Sequence, residues 1–486
     1  MSKKPNIIIF NPDEFRADAL GHLGNSAALT PNFDSIIKKD AVSFRNAFCQ
    51  NPVCTPSRCS FMSGWYPHVR GHRLMYHLMQ EDEPVLLRTL KENGYFVWWG
   101  GKNDLIPGQN SYDPYCDIMY KPKKPLYNGS SKNKMPGNEK DDYKYSFYSG
   151  KIIPEEEDTK YYDPDWRYIN GAVDFINDHS DNKPFCIYLP LNYPHPPYKV
   201  EEPWYSCIDR DELPDRISSP ESWKNKPSFL KSLYELQGVQ DWTEEKWNEL
   251  RATYLGMCSR VDYQFGLLIE ALKETGQYDN TAIFVFSDHG DYTGDYGIVE
   301  KNDNTFEDCL VNVPFIIKPP AEIQINPGIN DSLVELIDFP ATVEELTGCQ
   351  SSHNHFGKSL LPVLKGDSEE HRDVVFCEGG RLHCEEKCIS PLTGDSLYWP
   401  RQKTQHSSGS EHTRAVMIRS QKYKYVRRLY EQDEFYDLIN DPEELNNKIN
   451  DPEYKVEIYK LKEKLLNFYL ETSDVVPVEH DERNLF

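Results

Sequence analysis

A cysteine and an arginine stand four residues apart in the stretch NPVCTPSRCSFMSG, which covers residues 51–64. The proline between Cys54 and Arg58 favours a helix start, and one helical turn would bring both side chains to the same face. A thiol at a helix start is acidified and reactive, so Cys54 is a candidate reacting group. An inert loop thiol is a second interpretation. A metal or cluster site with Cys49 and Cys59 is a third, but this spacing does not keep the three on one helix face.

Polar residues also follow each of four predicted strands. The segments are Asn11–Glu14 after IIIF, Lys102–Asp104 after FVWWG, Asn192–His195 after CIYLPL and Ser287–Asp291 after AIFVF. In open α/β sheets, ligands bind at the carboxyl ends of the strands. A single segment of this kind could be a solvated loop, but four of them on one edge of one sheet predict a site, with His195 among its residues.

The predicted edge carries the donor types of a metal site. These donors are Asp13, Glu14, Asp288 and His289. Several carboxylate oxygens with one imidazole suit a hard divalent cation such as calcium, with manganese and zinc as alternatives. Asp13 and Asp288 could instead cap helices that start just after them. Lys102 and Lys301 could be solvent-facing lysines, but an anion bound beside a metal needs additional positive charge of this kind.

The polar segments can meet at one edge only if the strands before them belong to one parallel sheet. Over the first two thirds of the chain, the sequence indeed alternates between predicted strands and predicted helices. In VLLRTLKENGYFVWWGG a helix stops at Gly94 and a strand follows, and this plan recurs further along the chain. Thr243 is predicted to cap the start of another helix and Gly276 to end it. Continuous apolar strands linked by helices predict a mostly parallel sheet covered by helices on both faces.

The pattern changes after about residue 370. Short antiparallel strands and a last helix are predicted there, so we expect a catalytic α/β domain over 1–369 and a smaller α+β domain over 370–486. Residues 381–413 and 121–160 are poorly patterned and are predicted to be surface insertions. A chain of 486 residues is too long for one core of ordinary size, which agrees with two domains.

The composition limits the partners of this chain. With 54 Lys and Arg against 78 Asp and Glu, the formal net charge is −24, which disfavours nucleic acid and anionic lipid. The opening MSKKPNIIIFNPDEF has a shorter apolar run than a signal peptide needs, and no stretch is long enough for a membrane helix. Several of the 12 cysteines lie in apolar runs, which indicates buried reduced thiols and predicts a cytoplasmic protein.

The segment CTPSRCSFMSGWYPHVRG, residues 54–71, resembles the signature of the type I sulfatases. The matching positions are Cys54, Pro56, Ser57, Arg58, Gly64, Pro67 and Gly71. The resemblance extends over most of the chain. IIIFNPDEFRADALG is similar to the family's first metal-binding strand, GGKND to its Gly-Lys loop, YPHPPY to its Pro-His loop, FSDHGDYTGDYGIVEK to its second metal segment, and DEFYDLINDPEELNN to its C-terminal segment.

The resemblance implies an alkaline-phosphatase-like fold, one divalent cation, usually calcium, and oxidation of Cys54 to formylglycine by a maturation enzyme. One hydroxyl of the hydrated aldehyde, held on the metal, would attack the sulfur of a sulfate monoester, and the other would help to expel sulfate. Carried over by position, the metal ligands are Asp13, Glu14, Asp288 and His289 together with the modified Cys54. The remaining roles are Arg58 as the group that orients the hydrated aldehyde, Lys102 and Lys301 on sulfate, and His195 as the acid for the leaving alcohol or a sulfate contact.

Two positions depart from the commoner family pattern. Glu14 stands where a second Asp is frequent, and Asp104 stands where many members have a His. Asp104 could act as a base, pair with Lys102 or point away from the site. Phosphonate monoester and phosphodiester hydrolases share the fold and the motif and vary in this same loop, so they are the alternative function.

A sulfatase-like binding protein without catalytic activity is a third hypothesis, but the intact motif argues against it. We expect a small sulfated substrate, either a sugar sulfate or an aryl sulfate. A homo-oligomeric state is left open.

Overall fold

The computed structural model describes residues 4–122, 144–154, 161–179, 183–407 and 409–478. The strands of this part are β1 (Asn6–Asp13), β2 (Val42–Phe48), β3 (Phe96–Trp99), β4 (Ile118–Met119), β5 (Tyr148–Lys151), β6 (Phe185–Pro194), β7 (Tyr198–Val200), β8 (Thr281–Phe286), β9 (Phe315–Lys318), β10 (Gly328–Glu335), β11 (Val375–Gly379), β12 (Ala415–Arg419), β13 (Tyr423–Arg428) and β14 (Glu434–Asp437). Much of the predicted insertion at 121–160 lies outside the described residues.

The helices of the described residues lie mostly between these strands. They are α1 (Pro31–Ile37), α2 (Cys54–Ser63), α3 (Pro67–Arg70), α4 (Leu86–Glu92), α5 (Pro164–Asp178), α6 (Ser228–Gln237), α7 (Glu244–Glu274), α8 (Asp308–Val311), α9 (Asp338–Thr347), α10 (Leu361–Lys365), α11 (Trp399–Gln405) and α12 (Lys455–Thr472). None of the helices in the described ranges combines the length and the apolar character needed to cross a membrane.

The large sheet has eight strands among the described residues, in the order β10-β2-β9-β8-β1-β6-β3-β4. Strand β9 runs antiparallel to its neighbours β2 and β8, while the other neighbouring strands of this sheet are parallel. The prediction of a mostly parallel α/β sheet is therefore confirmed. Because β1, β3, β6 and β8 share one direction, the segments that follow them meet at a single edge.

The central strand β1 shows why helices cover both faces of this sheet. Its residues alternate between the two faces, and all of them are apolar from Ile7 to Phe10. Ile7 and Ile9 pack in one core with α2, α4 and α9, whereas Ile8 and Phe10 pack in another core with α1, α5 and α7. An apolar strand of this kind can be stable only between two helical layers.

The ends of the long helix α7 follow the predicted signals. The Thr243 side chain accepts a hydrogen bond from the backbone N–H of Lys246 at 3.4 Å. Past the other end, Gly276 has a φ of +67°, a left-handed conformation that glycine adopts without steric cost. These local signals fix the limits of α7.

A second, smaller sheet follows the large one in the chain. Strands β11, β12, β13 and β14 form an antiparallel sheet in sequence order. Helix α12 packs on this sheet, and the rings of Phe376 and Phe468 stack with their centroids 3.8 Å apart. The predicted antiparallel C-terminal sheet and final helix are confirmed, whereas the boundary between residues 369 and 370 stays a prediction.

Candidate active site

Side chains at or just past the ends of β1, β3 and β8 converge on the first residue of α2. The Cys54 sulfur lies 3.1 Å from His289 Nε2, 3.4 Å from Asp13 Oδ1 and 3.7 Å from Lys102 Nζ. Cys54, Asp13 and His289 are fully buried. The sulfur therefore lies at the bottom of the site, among groups that are far apart in sequence.

Helix α2 begins at Cys54 itself rather than at Pro56, where the sequence placed the helix start. The Ser57 hydroxyl donates to the Asp288 backbone oxygen at 2.6 Å and so fastens the first turn of α2 to the segment after β8. Burial raises the pKa of the Cys54 thiol well above its usual range, and nearby Asp13 adds to this rise. The expected acidification by the helix start is therefore outweighed, because the site is buried and rich in carboxylates.

Four of the predicted ligands form a group that could hold a metal ion. One donor atom each from Asp13, Cys54, Asp288 and His289 lies within 4.8 Å of the others. Asp13, Glu14 and His195 form a second group of the same kind, so Glu14 lies beside the first group. Among the described residues, neither group includes Cys49 or Cys59, which leaves the three-cysteine cluster without support.

The donor chemistry of this group fits a divalent cation. Glu14 Oε1 is buried and has no hydrogen-bond partner among the described residues. The His289 Nδ1 lies 2.8 Å from the Gly290 backbone oxygen, so Nδ1 donates and Nε2 is free to act as a ligand. Neither Asp13 nor Asp288 is the N-cap of an α-helix in the described ranges, which removes capping as their main role.

Arg58 forms ion pairs with both Asp13 and Asp288. Its Nη2 lies 3.0 Å from Asp13 Oδ2 and 2.8 Å from Asp288 Oδ2, and its Nε donates to Asp288 Oδ2 at 2.9 Å. Burial by itself would raise the pKa of Asp13, but Lys102 and Arg58 hold it well below the usual range. Asp13 is therefore charged, as a metal ligand must be. Arg58 orients both carboxylates and lies on the Cys54 side of α2.

Lys102 approaches the same sulfur from the loop after β3. Its Nζ lies 2.5 Å from Asp13 Oδ2 and 2.9 Å from Asp104 Oδ2. The preceding Gly101 has a φ of +148°, and a Cβ there would lie 2.2 Å from the Pro190 backbone oxygen. Only glycine allows the loop to pass this close to β6. Of the three alternatives for Asp104, the structure shows pairing with Lys102.

Lys301 belongs to a separate cluster with two glutamates and a histidine. Its Nζ lies 2.6 Å from Glu14 Oε2, 3.0 Å from Glu300 Oε1 and 2.9 Å from His195 Nε2. Burial would lower the pKa of Lys301, but Glu14 and Glu300 hold it well above its usual range. Burial lowers the pKa of His195 well below its usual range, and Lys301 lowers it further. Lys301 is therefore charged and His195 is neutral in this arrangement.

A cavity of about 590 Å³ opens above these groups. Its lining includes Cys54, Lys102, Asp104, His195 and Lys301. It also includes residues that sequence reasoning missed, namely Asn103, Ser390, Tyr398, Arg401 and Gln402.

The last four of these missed residues come from the predicted insertion at 381–413. That segment was expected to be a poorly patterned surface insertion; it contains α11 and forms a wall of this cavity. The short tract LYWPRQ held the only sequence signal, namely aromatic residues beside an arginine.

Comparison with known proteins agrees with the fold and shows the family. The family model described as Sulfatase matches residues 5–349. The arylsulfatase of Clostridium perfringens is 25% identical over an alignment of 492 residues that covers 95% of this chain and 94% of that protein.

Two solved structures have the same fold. The phosphonate monoester hydrolase of Agrobacterium radiobacter superposes with a TM-score of 0.74 at 20% identity and covers 96% of both chains. BT4656, solved in complex with its substrate D-glucosamine-2-N,6-O-disulfate, superposes with a TM-score of 0.72 at 20% identity and covers 97% of this chain and 98% of that chain. At such identities the likeness concerns the fold, and the family match over most of the chain carries the assignment. The chain therefore belongs to the sulfatase family of the alkaline phosphatase superfamily and is a sulfuric ester hydrolase.

Proposed function

We propose that this enzyme hydrolyses a sulfate monoester of a sugar or an aryl alcohol by means of a formylglycine formed from Cys54 and one divalent cation. The observation that carries the proposal is the position of the Cys54 sulfur, 3.1 Å from His289 Nε2 and 3.4 Å from Asp13 Oδ1 at the bottom of the cavity. The modified side chain would there face both the ligand group and the bound ester.

The modification is supported by the environment of Cys54. Since burial and Asp13 raise the pKa of the thiol, an unmodified Cys54 would be a poor nucleophile. Formylglycine supplies, as its hydrate, one hydroxyl that can attack sulfur and a second that allows sulfate to leave. A maturation enzyme must carry out this oxidation, and it is the protein partner that the proposal requires.

The cation that we propose is calcium, with manganese and zinc as alternatives. It would be held by Asp13, Asp288, His289 and the modified residue 54, with Glu14 beside them. When bound, it withdraws electron density from the reacting oxygens and stabilises negative charge. The mixture of carboxylates with a single imidazole favours a hard cation.

The two lysines are assigned to the sulfate group. Lys102 stands beside Asp13 and Asp104, whereas Lys301 stands beside Glu14 and His195, so the two cations reach the cavity from different walls. A sulfate monoester has three equivalent non-bridging oxygens to share between them. A phosphonate monoester carries an organic group in place of one of these oxygens, which favours sulfate in this site.

His195 and Lys301 are assigned to the proton that the departing oxygen takes up. The His195 Nδ1 lies 2.6 Å from the Pro196 backbone oxygen, so the ring donates there and its Nε2 accepts from Lys301 at 2.9 Å. A proton shared between Lys301 Nζ and His195 Nε2 can be donated to the ester oxygen of the departing alcohol in the cavity. Asp104, paired with Lys102, fixes the direction of that cation.

The test uses matured enzyme on matched esters. Intact-mass analysis is expected to show the mass loss of thiol-to-aldehyde conversion, mapped to Cys54, and a panel of sugar sulfates, aryl sulfates and phosphonate esters is expected to give the highest kcat/KM for a sulfate monoester. Active enzyme with only an unmodified thiol at position 54 would contradict the mechanism. A higher kcat/KM for the phosphonate ester would establish the alternative function.

We further propose that the protein works in the cytoplasm. All twelve cysteines are unpaired, and most of them are buried. Unpaired cysteines are typical of a reducing compartment. Cell fractionation with an antibody against the protein tests this proposal, and recovery in a secreted or periplasmic fraction would overturn it.

A further inference from the structure

The helix α11 brings a cation to the upper wall of the active-site cavity. Arg401 lines the cavity together with Lys301 and Tyr398, and its side chain is only 11% exposed. Its guanidinium carbon lies 4.9 Å from the centre of the Tyr398 ring. Arg401 is therefore a largely buried cation that faces the space above the sulfate site and has no role in the chemistry described so far.

One edge of the Arg401 guanidinium is left without a partner. Its Nη1 donates to Glu300 Oε1 at 3.3 Å. Its Nε is buried and has no hydrogen-bond partner among the described residues. A buried donor that stays unpaired is costly. What distinguishes Arg401 is that its side chain also lines the cavity, beside Lys301.

Arg401 and Lys301 share one carboxylate partner, Glu300. The same Glu300 oxygen lies 3.0 Å from Lys301 Nζ, so one carboxylate is shared between two cations. Lys301 has a second partner in Glu14, whereas Glu300 is the ion-pair partner of Arg401 in the described part of the chain. Burial would lower the pKa of Arg401, but Glu300 and Asp303 raise it, so Arg401 is a charged guanidinium at this end of the cavity.

Hydrogen bonds between residues just after Lys301 and the region of α11 fix the position of Arg401 relative to Lys301. Gln405, one turn along α11, donates from its side chain to Asp303. Asn304 donates to the Glu411 backbone oxygen at 2.8 Å. The helix is thus attached to the segment that carries Lys301, and a substrate held by Lys301 meets Arg401 in a fixed geometry.

We propose that Arg401 is a specificity-determining residue that binds a second anionic group, a carboxylate or another sulfate, on the leaving group of the sulfate ester. The planar guanidinium offers parallel N–H donors that match such an oxyanion. The inference rests on the proposed sulfate monoester hydrolysis and adds the class of substrate. Tyr398 beside it offers an apolar face to the ring that carries both groups.

The test compares esters that differ only in this second charge. The probes are the ortho, meta and para isomers of carboxyphenyl sulfate, each paired with its carbamoylphenyl sulfate, which has the same shape and no charge. A carboxamide withdraws more electron density than a carboxylate, so a preference for the carboxylate cannot come from a better leaving group. A disulfate of benzene-1,3-diol, compared with its monosulfate, distinguishes a second sulfate from a carboxylate.

For matured parent enzyme we expect at least one anionic probe to exceed its neutral partner about 10- to 100-fold in kcat/KM, mainly through a lower KM. Arg401→Gln should bring this ratio to about 1, and Arg401→Lys should keep part of it because the charge remains without the planar fork. Lys403→Gln is the matched control. It removes one positive charge from the same helix at an exposed position outside the cavity lining, and should leave the ratio as in the parent.

Three results would overturn the proposal. The parent could show no preference for any anionic probe, which needs no variant to observe. The preference could persist in Arg401→Gln. The variant could also lower kcat equally for charged and neutral probes, which would indicate a positioning effect through Glu300 and Lys301. If matured enzyme released no sulfate from these probes or from any sugar sulfate of the panel, the proposed function would fail as well, so the two failures are distinguishable.

Discussion

Replacing Lys301 by methionine removes a buried cation on which three other groups depend. The Lys301 Nζ contacts Glu14 at 2.6 Å, His195 at 2.9 Å and Glu300 at 3.0 Å. Its side chain is 2% exposed, so water cannot take its place readily. Methionine keeps the length and apolar volume of the side chain, and the charge is the main change.

The expected loss has two components. Removing one charge-stabilising donor from a closed site costs about 10²- to 10³-fold in rate, or about 2.7–4 kcal/mol of transition-state stabilisation. In addition, Glu14 loses its shortest ion-pair contact. Burial raises the pKa of Glu14 well above its usual range even against the opposing effect of Lys301, so without Lys301 this carboxyl is protonated more readily and the loss of stability is smaller than the ~3–5 kcal/mol of a buried pair broken from one side. Glu300 keeps Arg401 as a partner, so the cost falls mainly on Glu14.

The assay measures kcat/KM on a sulfate monoester and on a phosphonate monoester for matured parent and Lys301→Met. Lys318→Met is the matched control, because Lys318 is also buried and lies in the same sheet, on β9. Lys318 Nζ donates to the Thr281 backbone oxygen at 3.0 Å, at the start of β8 and so at the opposite edge of the sheet from the site. The control should lose stability with little change in kcat/KM.

The reasoning is refuted if Lys301→Met retains sulfate kcat/KM within about threefold of the parent while binding its metal normally. If, in addition, the parent prefers the phosphonate monoester, the alternative function is correct. In that case Asp104, which stands where many family members have a His, would be the sequence difference that indicated the alternative function. Thermal unfolding of both variants shows whether a loss of activity is only a loss of folded protein.

Three further outcomes are expected. Cys54→Ala should lower turnover by several orders of magnitude with an unchanged thermal midpoint, because it removes the reacting group; retention of activity in steady-state assays contradicts the proposal. Asp13→Ala or Asp288→Ala should abolish metal binding and activity together, and elemental analysis of the parent should find about one divalent ion per chain, whereas two tightly bound ions indicate a two-metal mechanism. Burial would raise the pKa of Asp338, but Arg372, whose Nε lies 2.9 Å from Asp338 Oδ2, holds this pKa well below the usual value. The ionised Asp338 therefore stabilises the folded state at neutral pH, and this contribution is lost as the pH falls below about 4. Asp338→Asn should flatten this part of the stability profile in chemical unfolding, and an unchanged profile would count against the ion pair.

The sequence was sufficient to predict the parallel sheet and the edge at which the site lies. Short continuous apolar runs such as that of β1, alternating with helical patterns, indicated strands buried on both faces, and the polar residues around Asp13 and Asp288 marked the ends of two of these strands. The motif around Cys54 predicted the source of the nucleophile, and this assignment stays a prediction. The helix start was misplaced by two residues because Pro56 is tolerated anywhere in a first helical turn.

The pairing of charges within the site required the tertiary structure. Asp104 could be assigned to Lys102, and Lys301 to Glu14 and His195, only once the distances between strand ends were known. No sequence pattern encodes the partners of Lys301, because the parallel sheet brings it together with residues more than 100 positions away. Asp104 is only two positions from Lys102, but the sequence left its pairing as one of three alternatives. Whether a carboxylate opposes or supports a bound anion depends on distances of a few ångströms.

The sequence by itself therefore determined the chemistry available to this protein, through residue types whose spacing follows the periods of strands and helices. The tertiary structure decided which partner each charged group has and which residues line the cavity. Arg401 shows the difference most clearly, since it lies 100 residues after Lys301 in a segment without periodicity and still lines the same cavity. Loops and insertions carry no repeating apolar pattern, and their placement depends on side-chain contacts such as that of Gln405 with Asp303, which exist only in the folded chain.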